Sequence, residues 1–112
     1  MKQLTMSLLL DYYGALLTPK QREYFDLYYN QDFSLAEIAQ QEGISRQGVH
    51  DSIVRTEAIL RNMEDATGCV ARERALEASL SEIREAAQLL LEQDNPSIRQ
   101  QAQRILSAAD RL

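Results

Sequence analysis

The sequence predicts an all-α protein in which a helix-turn-helix domain precedes a C-terminal helical hairpin. Ser34 and Glu37 stand three residues apart, as in a capping box at the start of a short amphipathic helix. Gly43 supplies the backbone freedom for a turn, and Ser45 is a suitable N-cap for the next helix. Beyond Gly68, apolar residues recur at steps of three and four, which predicts further helices.

These signals divide the chain into two parts. Residues 1–67 are assigned to the helix-turn-helix domain, with the motif itself at residues 34–58. Residues 68–112 are assigned to the hairpin, because they contain one proline-marked break between two apolar stripes and no further glycine after residue 68. A chain of 112 residues can bury one modest core of this kind.

Two helices are predicted before the motif. The first spans residues 2–16, with Leu4, Leu8, Tyr12 and Leu16 in a stripe. Leu9 and Leu10 widen this stripe, so we expect the helix to pack on more than one neighbour. The second begins with Thr18 as the N-cap and Pro19 at the first helical position, where a missing N–H costs nothing. Its predicted inward residues are Tyr24 or Phe25, then Leu27 and Tyr28.

The second helix of the motif is predicted to run from Arg46 to about Glu64. In a motif that reads DNA, the N-terminal residues of this helix meet base edges in the major groove. The candidate contact residues are Arg46, Gln47, His50, Arg55 and Arg61, with Lys20 and Arg22 as a secondary rim. Arginine suits a guanine edge and glutamine an adenine edge, whereas Asp51 does not suit a groove lined by phosphates.

Composition opposes a self-sufficient DNA-binding protein. The formal charge is −5 and the pI about 4.8, although nucleic-acid affinity depends on phosphate neutralisation by Lys and Arg. The sequence contains no paired-carboxylate site, phosphate loop, nucleophile–base set or metal-ligand cluster, so we expect neither an enzyme nor a cofactor. The single Cys69 gives no internal disulfide, and no stretch is long and apolar enough to span a membrane, so a cytoplasmic location is expected.

The hairpin has one apolar stripe on each arm. The stripes comprise Leu76, Leu80, Ile83, Ala87 and Leu90 on the first arm, and Ile98, Ala102, Ile105 and either Ala109 or Leu112 on the second. They must be covered either by the first domain or by a second copy. Because each arm is short, we favour a homodimer, with Leu76, Leu80, Ile83, Leu90, Ile98 and Ile105 as the dimerisation residues.

Two resemblances add to this interpretation. Thr18–Phe25, Ser34 with Glu37–Ala39, and Gly43–Ser45 with Val49 resemble region 4 of bacterial sigma factors, over residues 17–61. Over nearly the whole length, the runs DYYGALLT, LYYNQDFSLAEIA and ISRQGVHD are similar to the YlxM family. Members of that family are small cytoplasmic proteins of Gram-positive bacteria, typically encoded beside the GTPase of the signal recognition particle.

The YlxM resemblance implies a regulatory or accessory role in co-translational protein targeting. The implied partners are the GTPase of the signal recognition particle, its RNA or its receptor. The residues themselves leave two classes open: an interaction protein that uses the helix-turn-helix fold on a protein or ribonucleoprotein, and a sequence-specific DNA-binding transcriptional regulator. Gly48 and Asp51 depart from sigma-like recognition helices, which weakens any transfer of DNA-contact residues from those proteins.

Overall fold

The computed structural model describes residues 2–112, with side chains from Thr5 onward. All regular secondary structure in this range is helical, which confirms the predicted all-α class. The helices are α1 (Lys2–Tyr13), α2 (Pro19–Tyr29), α3 (Leu35–Glu42), α4 (Arg46–Thr67), α5 (Cys69–Leu91) and α6 (Pro96–Asp110), with a 3₁₀ turn at Gly14–Leu16 after α1. The chain divides into two compact units, and the boundary between them along the sequence lies between Val70 and Ala71.

The predicted caps of the motif are confirmed, whereas α1 ends at Tyr13 before the predicted residue 16, and α4 continues to Thr67, beyond the predicted end at about Glu64. Ser34 Oγ accepts a hydrogen bond from Glu37 N at 3.1 Å, and the Glu37 carboxylate accepts one from Ser34 N at 3.0 Å. Thr18 forms a second capping box with Gln21, which the sequence analysis did not identify. Gly43 and Gly68 end α3 and α4 with φ values of 68° and 62°, in the left-handed region that glycine adopts without strain.

The Glu37 carboxylate is expected to make the stability of the motif depend on pH in the acid range. Hydrogen bonds from the Ser34 backbone and side chain lower the pKa of Glu37 below its usual 4.5. A lowered folded-state pKa contributes stability above the unfolded value and loses it as the pH falls through the folded value. We therefore expect wild type to be more stable than Glu37→Gln at neutral pH, with the difference vanishing in acid. Urea unfolding of both proteins across this range measures it, and a constant difference would contradict the assignment.

The first unit is built around one apolar core to which all four helices contribute. Phe25, Ile38, Val49 and Leu60 are fully buried, and the Phe25 and Tyr29 rings lie 4.5 Å apart. The predicted inward positions of α2 are thus occupied by Tyr24, Phe25 and Leu27, with Tyr28 half-buried. The remaining buried apolar residues of this core are Met6, Leu9, Leu10, Tyr13, Leu17, Ala39, Ile53 and Val70.

The predicted face of α1 is confirmed at Leu9 and Leu10 and is wrong at Tyr12 and Leu16. Tyr12 is 42% exposed and Leu16 71% exposed, whereas the buried residues of this segment are Met6, Leu9, Leu10, Tyr13 and Leu17. The reason is that Leu8, Leu9 and Leu10 make the helix apolar around much of its circumference, so spacing alone does not select one stripe. Leu8 packs on the margin of the core, and the side chain of Leu4 lies outside the described residues.

A hydrogen-bonded cluster joins α1 to the junction between α4 and α5. The Tyr13 hydroxyl is 2.6 Å from Glu64 Oε1 and 2.6 Å from Thr67 Oγ1. The same Glu64 oxygen accepts a hydrogen bond from Val70 N at 3.0 Å, in the first turn of α5. A carboxylate near the N-terminus of a helix satisfies amides that have no partner within the helix. Glu64 thereby fixes where α5 begins.

The second unit is an antiparallel hairpin of the remaining α5 residues and α6. Its buried side chains are small for a helix interface, since Leu80 is joined only by Ala87, Ala102 and Ala109. Arg84 crosses between the arms: it donates to Ala109 O at 3.2 Å and lies 3.4 Å from Asp110. Asn95 caps α6 by accepting hydrogen bonds from Ser97 N and Ile98 N, as its position before Pro96 predicts.

Candidate nucleic-acid interface

The helix-turn-helix places the N-terminus of α4 at the surface of the first unit. The Ser45 hydroxyl caps α4 by accepting a hydrogen bond from Gly48 N at 3.0 Å. Ile38 and Val49 are fully buried and Ala39 nearly so, which fixes α4 against α3. A shallow depression of about 500 Å³ lies on the exposed side, lined by Leu35, Arg46, Gln47 and His50.

Asp51 contacts two of the candidates for base reading, Gln47 and His50. Gln47 Nε2 donates to Asp51 Oδ1 at 2.8 Å, and His50 Nδ1 lies 3.5 Å from the same oxygen. The amide donor of Gln47 is needed for the bidentate contact with adenine, so this hydrogen bond competes with base reading. The carboxylate also adds a negative charge where phosphates would approach.

The three candidate arginines of α4 are all exposed, but they do not form one patch. Arg46 and Arg61 lie within roughly 60° of each other around the helix and about 22 Å apart along it. Arg55 lies roughly 180° from Arg46, beyond Asp51. No ion pair joins any of the three to a carboxylate in the part of the chain that the structure describes. They are therefore available to a polyanion as separate contact points.

The secondary rim is divided between two other places. The Lys20 ammonium lies 3.2 Å from Glu42 and 3.4 Å from Glu23, so it joins α2 to the end of α3. These hydrogen bonds raise the pKa of Lys20, the contact with Glu42 having the larger effect. Arg22 lines an open groove between α1 and α2, together with Asp11 and Asp26. No contact in the structure joins Lys20 or Arg22 to the three arginines of α4.

Two glutamates of α4 hold the helix against the rest of the first unit. Glu57 accepts a hydrogen bond from the Tyr29 hydroxyl of α2, and Glu64 accepts one from the Tyr13 hydroxyl of α1. The glutamates are seven residues apart and so lie on the same side of α4. Burial, together with the hydrogen bond to Glu57, raises the pKa of Tyr29, which keeps the hydroxyl protonated as a donor. Sequence reasoning missed both pairs, because the spacing of the glutamates places them on one side of α4 but does not identify the tyrosines that they contact.

The proposed dimerisation residues have two different environments in the hairpin. Leu80 is 9% exposed and lies between the two arms. Leu76, Ile83, Leu90, Ile98 and Ile105 are 37–46% exposed, on the outside of the hairpin.

The described residues contain no group of three or more His, Cys, Asp or Glu side chains that could hold a metal ion. Among the same residues, no helix combines the length and the hydrophobicity that a membrane span requires.

Comparison with known proteins identifies the family. Residues 1–101 match the model of a family described as "Putative helix-turn-helix protein, YlxM / p13 like". A UPF0122 protein of Thermoanaerobacter sp. (strain X514) is 44% identical over 91 residues, which cover 81% of this chain and 78% of the relative. A UPF0122 protein of Halalkalibacterium halodurans is 46% identical over 85 residues, covering 76% of this chain and 78% of the relative. A third, from Geobacillus sp. (strain WCH70), is 59% identical over 63 residues, covering 56% of this chain and 57% of the relative. The chain therefore belongs to the YlxM/p13-like family of helix-turn-helix proteins, which confirms the resemblance drawn from its motifs.

Proposed function

We propose that this protein is a non-enzymatic accessory protein of the signal recognition particle pathway, and that it binds the RNA of that particle in the cytoplasm. The pathway is the one that the YlxM resemblance implies. The choice of RNA among the implied partners is supported by one observation: among the described residues the exposed arginines of α4 form no ion pair, while Gln47 is hydrogen-bonded to Asp51.

This arrangement favours contacts to phosphates over contacts to bases. Folded RNA is gripped largely through phosphates, 2′-hydroxyls and shape, and its deep major groove is not read by side chains. Arg46 and Arg61 are about 22 Å apart, so they would contact phosphates on separate segments of a folded RNA. Gln47 and Asp51 then need not be separated, because no base edge has to be read.

The acidic character of the first unit is less unfavourable than its composition suggests. That unit carries ten carboxylates against six cations. However, Glu57 and Glu64 are turned towards tyrosines of α1 and α2, and Glu37 and Glu42 are engaged at the ends of α3. These groups stabilise the fold. Around α4, Asp51 lies beside Arg55, whereas the half-buried Glu57, which is hydrogen-bonded to Tyr29, lies between Arg46 and Arg61.

The alternative is a sequence-specific DNA-binding transcriptional regulator. The observation that favours it is the motif itself, since the cap at Ser45 and the exposed Arg46 give α4 the start of a recognition helix. For this function, Gln47 would have to read adenine with the N–H that Asp51 does not hold, or else leave Asp51.

A titration of purified protein against the RNA of the particle distinguishes the two functions. We expect the affinity for the RNA to exceed that for a DNA duplex of the same length. Three phosphate contacts predict a slope of about −2 to −3 for the logarithm of the affinity against the logarithm of the salt concentration. Tighter, sequence-dependent binding to duplex DNA would favour the alternative. Binding to the GTPase or its receptor, with none to the RNA, would remove RNA from the proposal and leave the pathway.

A further inference from the structure

The hairpin sorts its apolar residues by size between two faces. Small side chains fill the space between the arms, where Ala87, Ala102 and Ala109 are at most 4% exposed. Beside that space, six of the seven exposed large apolar side chains of the hairpin are 37–80% exposed, and the seventh, Leu89, lies roughly 120° from Ile83 around α5. The six lie in two stripes with seven-residue spacing: Leu76, Ile83 and Leu90 on α5, and Ile98 and Ile105 on α6, with Leu112 just beyond the end of α6. We call this surface the outer apolar face.

The outer apolar face has the dimensions of an interface. The overlap of the arms is about 22 Å long, since α6 has 15 residues, and two adjacent helices are about 20 Å wide. The projected area is therefore roughly 450 Å², and the accessible surface of its side chains is larger. Contiguous apolar patches of a few hundred Å² mark interaction sites in soluble proteins, and a standard interface buries about 800 Å² on each partner.

Charged residues border this face on both sides, and they have opposite signs. Arg84, one residue after Ile83, bonds to α6, so Glu82, one residue before Ile83, lies on the outer edge of α5. On α6, Leu106 is half-buried towards α5, so Arg104 lies on the outer edge by the same reasoning. Glu82 and Arg104 are each about ten residues from the turn between the arms, and hence at similar heights.

We propose that the outer apolar face binds the same face of a second copy of this chain, forming an antiparallel four-helix bundle. A two-fold axis parallel to the helices keeps every residue at its own height and places α5 beside α6 of the second copy. Glu82 of each copy then meets Arg104 of the other, so two ion pairs close the bundle. A helical hairpin with apolar residues at seven-residue spacing is the unit from which such bundles are built. This inference is independent of the proposed function.

A membrane surface fits the face less well. Peripheral helices bind anionic lipids through a basic polar face. The second unit carries six cations against seven carboxylates, so it has no net positive charge. The alternation of Glu82 and Arg104 across the face instead complements a second copy.

Sedimentation equilibrium of the full chain at micromolar concentrations tests the proposal. We expect a species of twice the 12.8 kDa chain mass. Ile83→Glu should weaken association by roughly a hundredfold or more, because each dimer would bury two uncompensated charges. Ile83 is 46% exposed in the single chain, so this variant keeps the fold. Ala78→Glu is the matched control: it adds the same charge roughly 140° around α5 and should sediment as wild type does.

A charge exchange tests the arrangement itself. Glu82→Arg and Arg104→Glu should each weaken self-association roughly tenfold, because both ion pairs of the dimer become repulsive. When the two variants are mixed, both pairs become attractive again, and a heterodimer should form with about wild-type affinity. A wild-type protein that remains monomeric would overturn the proposal. So would a dimer that Ile83→Glu leaves intact, or variants whose mixing restores nothing.

Discussion

Leu60→Ala is expected to lower the free energy of unfolding of the first unit by about 3–5 kcal/mol. Leu60 lies on α4 and is fully buried in the core shared by all four helices of that unit. The truncation removes buried methyl groups and leaves a cavity that the surrounding helices fill only in part. Since small proteins have a total stability of about 5–15 kcal/mol, this loss would bring the unit close to unfolding.

Leu16→Ala is the matched control for this prediction. The same atoms are removed from a side chain that is 71% exposed, so the expected change is within about 0.5 kcal/mol. Urea unfolding followed by circular dichroism compares the two variants directly. Similar losses at both positions would mean that Leu16 lies in the core after all, on the stripe that the sequence predicted for the first helix.

Reversal of Arg46 and Arg61 together to glutamate is expected to lower the affinity for the RNA of the signal recognition particle by roughly a hundredfold. Each substitution removes a charge-assisted contact of about 1.5 kcal/mol or more and adds a repulsive charge. The measurement is an equilibrium titration of labelled RNA. Arg55→Glu alone should have a smaller effect, because Arg55 lies on the other side of α4.

The control for this reversal changes the net charge equally in the second unit. Arg72 and Arg74 are exposed residues of α5, and their joint substitution by glutamate should leave the affinity within about threefold of wild type. If both double variants bind alike, the RNA is attracted only by overall charge. If neither loses affinity, α4 has no part in binding.

The local signals of the sequence were sufficient for the helix boundaries of the motif. Ser34 with Glu37, Gly43 and Ser45 act through hydrogen bonds and backbone angles within a few residues, so their effects can be read without knowledge of the fold. The same holds for the break at Asn95 and Pro96, which separates the two arms of the hairpin. Together with the family resemblance, these signals were enough to predict the fold class.

Features that depend on tertiary contacts were less accessible. The buried side of α1 is chosen by its neighbours, because three consecutive leucines leave several faces equally apolar. The Tyr29–Glu57 and Tyr13–Glu64 hydrogen bonds join residues 28 and 51 positions apart, a separation that no local pattern reveals. The partition of the hairpin stripes is of the same kind, since Leu80 and Ile83 belong to one apolar repeat, yet Leu80 is 9% and Ile83 46% exposed.

The candidate contact residues show a similar division. Exposure of Arg46, Arg55 and Arg61 follows from the period of α4, which the sequence contains. Two further features could be identified only from the three-dimensional structure: the hydrogen bond from Gln47 to Asp51, and the ion pair by which Lys20 joins α2 to Glu42. Both concern side chains whose partners are chosen by distance, and they change which of the predicted residues are available to a ligand.

The central claim is that the chain acts on the signal recognition particle through its RNA. Its most direct test is capture of the tagged full-length chain from native cytoplasm, with and without nuclease, followed by identification of bound RNA, DNA and protein. We predict recovery of the RNA of the particle together with its GTPase, and loss of the GTPase after nuclease treatment. Recovery of a discrete set of promoter fragments, with neither component of the particle, would contradict the claim and make the protein a transcriptional regulator.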